Sequence, residues 1–236
     1  MADERQTVTL DDFQRADENP LSYSGKWSHS GLVSFDLRLV SNVVKLISAK
    51  NTGDMYWNPT TYDDETIEVW AIAEGGNASG IAWALDMWVS SSITGGSGVI
   101  DGYRVRQEVS SGGGSIILYK VTNGSTTALQ NSKTTYGIAG FTSGVSLPIL
   151  LYRYTKSTNH HDVYYAYTPY TSWTHAINYT DSTWSPPFNL GTGLTDNSSS
   201  SLHGWLDFGG GVPALTWKPH IIRRPYRQSA GGVLLP

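Results

Sequence analysis

Ile81-Ala82-Trp83-Ala84-Leu85-Asp86-Met87-Trp88-Val89 alternates apolar residues at 81, 83, 85, 87 and 89 with Ala, Ala, Asp and Trp between them. That is the two-residue period of a strand with one face on a core. The same beat runs through Val33, Phe35, Leu37 and Leu39, and again through Tyr103, Val105 and Val109 against Arg104, Arg106 and Glu108. Further strands are expected over 43–49, 66–73, 115–122, 147–154, 162–168 and 202–208, and no stretch has helical periodicity.

The breaks are turn chemistry. Gly75-Gly76-Asn77, Gly95-Gly96-Ser97-Gly98 and Gly112-Gly113-Gly114 tolerate positive φ, and Asn123-Gly124 after Ile116–Val121 predicts a tight hairpin. Many short strands with glycine-rich turns indicate an antiparallel sandwich or barrel. Residues 191–201, with Asn197 and four serines, read as a surface loop.

At 236 residues the chain has the length of one large β domain, and it has no cysteine, which excludes disulfides, thiolate metal sites and cysteine nucleophiles. Only 15% of residues are charged, against 9 Trp and 14 Tyr. Aromatics with a polar edge suit sheets and surfaces that meet sugars or proteins. All 20 acidic residues lie at or before Asp207 with twelve of the cations, giving −8 there, while Lys218, Arg223, Arg224 and Arg227 give the remainder +4. Four cations among prolines are too sparse for a nucleic-acid footprint. The charged start Met1-Ala2-Asp3-Glu4-Arg5 does not read as a secretory signal, and no apolar run approaches the ~20 residues of a membrane span.

The opening Leu10-Asp11-Asp12-Phe13-Gln14-Arg15-Ala16-Asp17, with Leu21-Ser22 and Trp27, resembles a recurrent start of concanavalin A-like (laminin G-like) jelly-roll domains, common in virion proteins of tailed bacteriophages. Asp101–Arg106, Ile117–Gly124, Asp181–Thr183 and Leu202–Gly210 resemble later segments of such domains, in order. The resemblance implies an all-β, two-sheet jelly roll over 10–217, between a short segment 1–9 and an extended basic, proline-containing arm 218–236.

The resemblance alone does not fix function, but with the single β domain and the tail that has no core of its own it leads to an expectation: a non-enzymatic virion structural protein, a capsid decoration or minor tail protein made in the host cytoplasm and displayed outside the particle. Its partners would be other virion proteins, copies of itself and a host-surface glycan. The arm, through Arg223, Arg224, Tyr226, Arg227, Val233, Leu234 and Leu235, would anchor it. The alternative is a carbohydrate-binding module for a host or environmental polysaccharide. A glucanase-type hydrolase is the third reading.

Rings on the face away from the core would stack on sugars or be covered by a neighbour. Trp57, Trp70, Trp88, Tyr165 and Trp173 are the candidates. For catalysis, Asp63-Asp64-Glu65-Thr66-Ile67-Glu68 resembles the glucanase Glu-x-Asp-x-x-Glu strand, inexactly. Glu65 and Glu68 would need a bulge to meet within the ~5–5.5 Å of a retaining pair. His160-His161-Asp162 lacks a third metal ligand, and neighbouring strand residues diverge. Asp11-Asp12 and Asp63-Asp64 offer hard oxygens to Ca²⁺, the one cofactor the resemblance suggests, without clear ligand spacing. No Gly-x-Ser-x-Gly elbow or phosphate loop occurs.

Overall fold

Alternation puts one side of each strand into a shared interior, and two such sheets bury it by packing face to face. A computed structural model of the chain describes residues 9–19, 21–22, 24–29, 37–46, 52–57, 61–74, 83–94, 99–110, 113–132, 149–166, 173–196 and 204–211. They form β1 (Thr9–Asp11), β2 (Trp27–His29), β3 (Leu37–Val40), β4 (Val43–Leu46), β5 (Thr52–Trp57), β6 (Thr66–Glu74), β7 (Trp83–Thr94) and β8 (Val99–Ser110). Then follow β9 (Gly113–Thr122), β10 (Ser125–Ser132), β11 (Ile149–Thr155), β12 (His160–Ala166), β13 (Thr174–Thr180), β14 (Asn189–Asp196) and β15 (Gly204–Gly211).

All pairings are antiparallel. One sheet runs β13-β12-β11-β6-β15-β4-β3, with β1 also on β15, and the other runs β10-β9-β8-β7-β14-β5-β2. The expected two-sheet all-β architecture is present. Between the sheets, Ile67, Val69, Ala71, Leu150, Tyr152 and Val163 from one side meet Met87, Val89, Tyr103, Val105, Leu118 and Leu190 from the other in one continuous core.

Asn123 and Gly124 join β9 to β10, with Ser125 opposite Thr122 and φ of +49° and +73°. Both positive values mark the predicted two-residue hairpin. Gly124→Ala puts a Cβ into the left-handed region, and the expected loss is about 1 kcal/mol. A lower urea midpoint at unchanged m-value checks it.

One expectation fails. Residues 191–196 are not loop but part of β14, a central strand between β7 and β5. Leu190, Thr192 and Leu194 point inward, buried. Glycines and a threonine hide the alternation, and Gly191 is there for space: a Cβ would lie 2.0 Å from the ring of Trp88 on β7. Residues 197–201 lie outside the described residues, as does the arm 218–236 with Arg223, Arg224, Tyr226, Arg227, Val233, Leu234 and Leu235.

The opening phrase folds into a clasp. Buried Asp11 accepts hydrogen bonds from the Phe13 N–H at 2.8 Å, the Arg15 guanidinium at 2.6 Å and the Trp27 indole at 2.7 Å. Arg15 also donates to Glu18 at 2.7 Å, and Glu18 accepts from the Ser22 N–H at 2.7 Å. Burial still wins at Asp11 and holds its carboxyl above the ordinary value, although all three donors pull it down. The Asp-x-Phe-x-Arg spacing thus ties residues 11–18 to Trp27 on β2.

Candidate functional site

The outward face of the seven-stranded sheet carries a charged and aromatic patch built by facing positions of β7, β8 and β9. Trp88 lies opposite Arg104, and Arg104 opposite Tyr119; Asp86 lies opposite Arg106. Asp86 is fully buried. Its two oxygens accept a bidentate pair from Arg106 Nε at 2.7 Å and Nη2 at 2.9 Å, with Arg104 Nη1 3.6 Å away. Burial alone lowers the guanidinium pKa of Arg106, but the Asp86 carboxylate reverses this and holds it above its ordinary value. Arg106 further lies 5.9 Å from the Tyr119 ring centroid and 4.0 Å from Glu108.

Toward solvent this patch offers part of the Arg106 side chain (22% exposed), Glu108 (43%) and the half-buried ring of Tyr119. Tyr56 on β5, half-buried, leans on Trp88 with ring centroids 6.5 Å apart. A guanidinium, a carboxylate and an amphipathic ring side by side can donate to hydroxyls, accept from them and stack on C–H surfaces. The in-phase charges Asp86, Arg104, Arg106 and Glu108 were the sequence signal for it.

Of the expected sugar platforms only Trp88 lies in this patch, and three of the five are buried rather than open to a ligand. Trp57 (7% exposed), Trp70 (2%) and Trp88 (0%) are buried. Trp57 packs edge-on against Trp27 with centroids 5.2 Å apart, within the central core. Trp70 and Trp88 do face outward from their sheets, yet both outer faces are covered at that point. Tyr165, partly buried, packs on the central core, and Trp173 on the outward cluster around Trp70.

Nor are the two glutamates brought together. Glu65 is exposed before β6 and accepts from the Ser157 N–H at 3.1 Å, which with the Ser157 hydroxyl lowers its pKa. Glu68 is fully buried and ion-paired with Arg153, whose Nε is 2.7 Å away. One carboxylate is committed to a turn and the other to a guanidinium.

His160, His161 and Asp162 diverge as strand geometry requires. His161 points inward, while Asp162 sits between His160 Nε2 at 3.3 Å and His175 Nε2 at 2.8 Å on the outer side. Among the described residues no group of three or more His, Asp or Glu side chains converges as a metal site. Of the two acid pairs, Asp11 is engaged by Phe13, Arg15 and Trp27, and Asp63 by Lys156 at 2.9 Å.

A polar cluster the sequence analysis missed closes one end between the sheets. The Tyr103 hydroxyl donates to Asp181 Oδ1 at 2.7 Å and accepts from the Trp184 N–H at 3.0 Å. His161 Nε2 donates to the Asp181 carbonyl at 3.1 Å, which leaves Nδ1 to accept from the Tyr152 hydroxyl at 2.9 Å. The one available sign was that His161 falls in phase with inward Val163 and Tyr165.

No protein-family model matches this chain, and no curated protein matches it. Solved structures do. The Emp46p carbohydrate recognition domain, metal-free, aligns with a TM-score of 0.62 at 15% identity over 87% of this chain and 97% of that one. The VIP36 exoplasmic/lumenal domain bound to Ca²⁺ and Man3GlcNAc aligns at 0.59 and 15%, over 83% and 87%. The Emp47p carbohydrate recognition domain aligns at 0.59 and 11%, over 90% and 99%. At such identity the likeness is one of fold: the chain has the concanavalin A-like lectin sandwich that its opening phrase implies.

Proposed function

We propose that the chain is a non-catalytic carbohydrate-binding module of lectin type. The observation that carries this is the fold match along nearly the full length of two carbohydrate recognition domains. We place the contact surface on the outward face of the seven-stranded sheet, where Tyr119, Arg106 and Glu108 reach solvent beside one another. Tyr119 supplies the stacking surface, and Arg106, oriented by Asp86, supplies donors in a fixed fork. Display on a virion, the other expectation, has no support in the comparisons, and the named neighbours favour sugar binding.

The test is a broad glycan array followed by calorimetric titration of whatever binds. Retention of at least one mannose-containing or acidic oligosaccharide is expected. Tyr119→Ala removes the ring while leaving the buried Asp86–Arg106 pair, so affinity is expected to fall about tenfold, or ~1.4 kcal/mol. An array without a ligand would end the reading; unchanged affinity in Tyr119→Ala would move the site off this face.

A further inference from the structure

We infer that the patch on the outward face of the seven-stranded sheet selects neutral, hydroxyl-bearing sugars, and that Glu108 is the residue that excludes anionic ones. This rests on the carbohydrate reading above and narrows the ligands expected there to one class. The Arg106 fork is divided between two carboxylates. Asp86 takes Nε at 2.7 Å and Nη2 at 2.9 Å, so the third nitrogen, Nη1, keeps its donors for another partner. Glu108 is the group it faces, with Oε1 4.0 Å from Nη1.

That spacing is too long for a direct hydrogen bond, which needs ~2.7–3.2 Å, and it suits one interposed oxygen. A hydroxyl oxygen ~2.8 Å from each atom would subtend roughly a right angle between them, accepting from Arg106 and donating to Glu108 at once. A carboxylate or sulfate can only accept, and it would meet the Glu108 charge. An ammonium can only donate, and it would meet Arg106. A sugar hydroxyl does both, while the Tyr119 ring, its centroid 5.9 Å from the guanidinium carbon, offers a surface for the C–H face of the same ring.

The charges of the patch agree. The carboxylates of Asp86 and Glu108 balance the guanidiniums of Arg104 and Arg106, so the four together are neutral. Toward solvent the balance is uneven. Asp86 is fully buried, Arg104 nearly so, and Glu108 is the most exposed of the four. An arriving ligand therefore meets a carboxylate first. Ala84 and Ser115 stand opposite Glu108 on the flanking strands, and neither brings a charge to offset it. The Tyr119 hydroxyl stays a protonated donor, since burial and then the Glu108 carboxylate hold its pKa above the ordinary value.

Removing that one negative charge should reverse the preference rather than merely weaken binding. In Glu108→Gln the charge of the four positions rises from zero to +1, while the amide oxygen still accepts from a hydroxyl. Neutral sugars are expected to lose about fivefold in affinity, a charged hydrogen bond having become a neutral one. Anionic sugars are expected to gain at least about tenfold, because a like charge no longer stands beside Arg106. That gain should fade in ~1 M salt, where screening reaches within ~3 Å.

The experiment sets neutral mannose, glucose and galactose oligomers against the oligomannuronate, oligoglucuronate and oligogalacturonate that match them. Every residue of a polyuronate carries a carboxylate, so one falls beside Glu108 in any register. The full natural chain and Glu108→Gln are compared on these six, at low and high salt, with calorimetric titration of each ligand retained. The natural chain is expected to hold neutral oligomers alone, and the variant to hold a uronate as well, at low salt only. A natural chain that prefers a uronate overturns the proposal. So does a variant that gains no uronate: if neutral sugars are still held by both chains, the carbohydrate reading stands and the selection by Glu108 falls. If neither chain holds any sugar, both fall together.

Discussion

Gly191→Ala is expected to destabilise the protein by about 3 kcal/mol or more, although glycine inside a strand is ordinarily the weaker choice. On conformational grounds alone, replacing an interior glycine by alanine should gain ~0.5–1 kcal/mol. Here the new Cβ would stand 2.0 Å from one ring atom of Trp88 and within 2.4 Å of two more. The indole cannot yield cheaply: it is fully buried and packs against Val121 and Tyr56. Either β14 shifts from β7, an overpacking strain of ~1–3 kcal/mol and occasionally more, or the indole leaves its site, which for a buried tryptophan costs ~3–5 kcal/mol. The sign therefore discriminates. Thermal unfolding should fall by roughly 6–12 °C at ~2–4 °C per kcal/mol for a domain of this size. In a Trp88→Leu background the same alanine should be neutral or stabilising, because the colliding atoms are gone. An additive double mutant would show that the clash is not the cause.

That pair also explains what the sequence displayed and what it concealed. The alternation around Met87 and Val89 is legible because each inward position is large and apolar. β14 conceals the same alternation because its outward residue must be glycine to clear the Trp88 ring. A strand whose identity is set by a neighbour's side chain has no local signal. The outward tryptophans show the converse. Period two correctly turned Trp70 and Trp88 away from the interior, but the pattern carries no information on whether an outer face is wet. Both are buried, so an aromatic on the polar side of a strand was a sign of a second packed layer rather than of a sugar platform.

The candidate site was half legible. Arg104, Arg106 and Glu108 alternate visibly, and what remained hidden was the register that sets Arg106 against Asp86 across β7 and β8. Glu65 and Glu68 illustrate the limit of motif spacing: their partners, Ser157 and Arg153, lie about ninety residues away in the chain. The opening phrase was legible as a resemblance and became physical only when Asp11 was seen to gather Phe13, Arg15 and Trp27.

The second large effect is acid lability centred on His161. Its imidazole is fully buried between the sheets, with ring centroids 4.2 Å from Tyr103 and 5.1 Å from Tyr154, and burial pushes its pKa down to about 4 from the ordinary 6.5. The folded state thus resists the proton that the unfolded chain accepts. Stability is full above pH 6.5 and falls as the pH drops toward 4, by up to ~1.36 kcal/mol per pH unit, about 3 kcal/mol over the window. Protonation would also force Nδ1, the acceptor for Tyr152, to become a donor against that hydroxyl. Asp181 cannot rescue the balance. Burial raises its pKa, but the Tyr103 hydroxyl and the Thr183 N–H lower it further, so it stays ionised through this window and adds its own loss only below it. Asp11 works the other way, since its raised pKa means the folded state takes up a proton early, which offsets a part of the loss near the acid end. Urea titrations of the full chain from pH 7.5 to 4 should show a falling midpoint with a slope of about one proton. In His161→Gln that slope should flatten, because an amide keeps hydrogen-bonding capacity toward Tyr152 and the Asp181 carbonyl but does not titrate. If the variant loses stability with acid as steeply as the natural chain, the proton is taken up elsewhere and the inter-sheet histidine is a bystander.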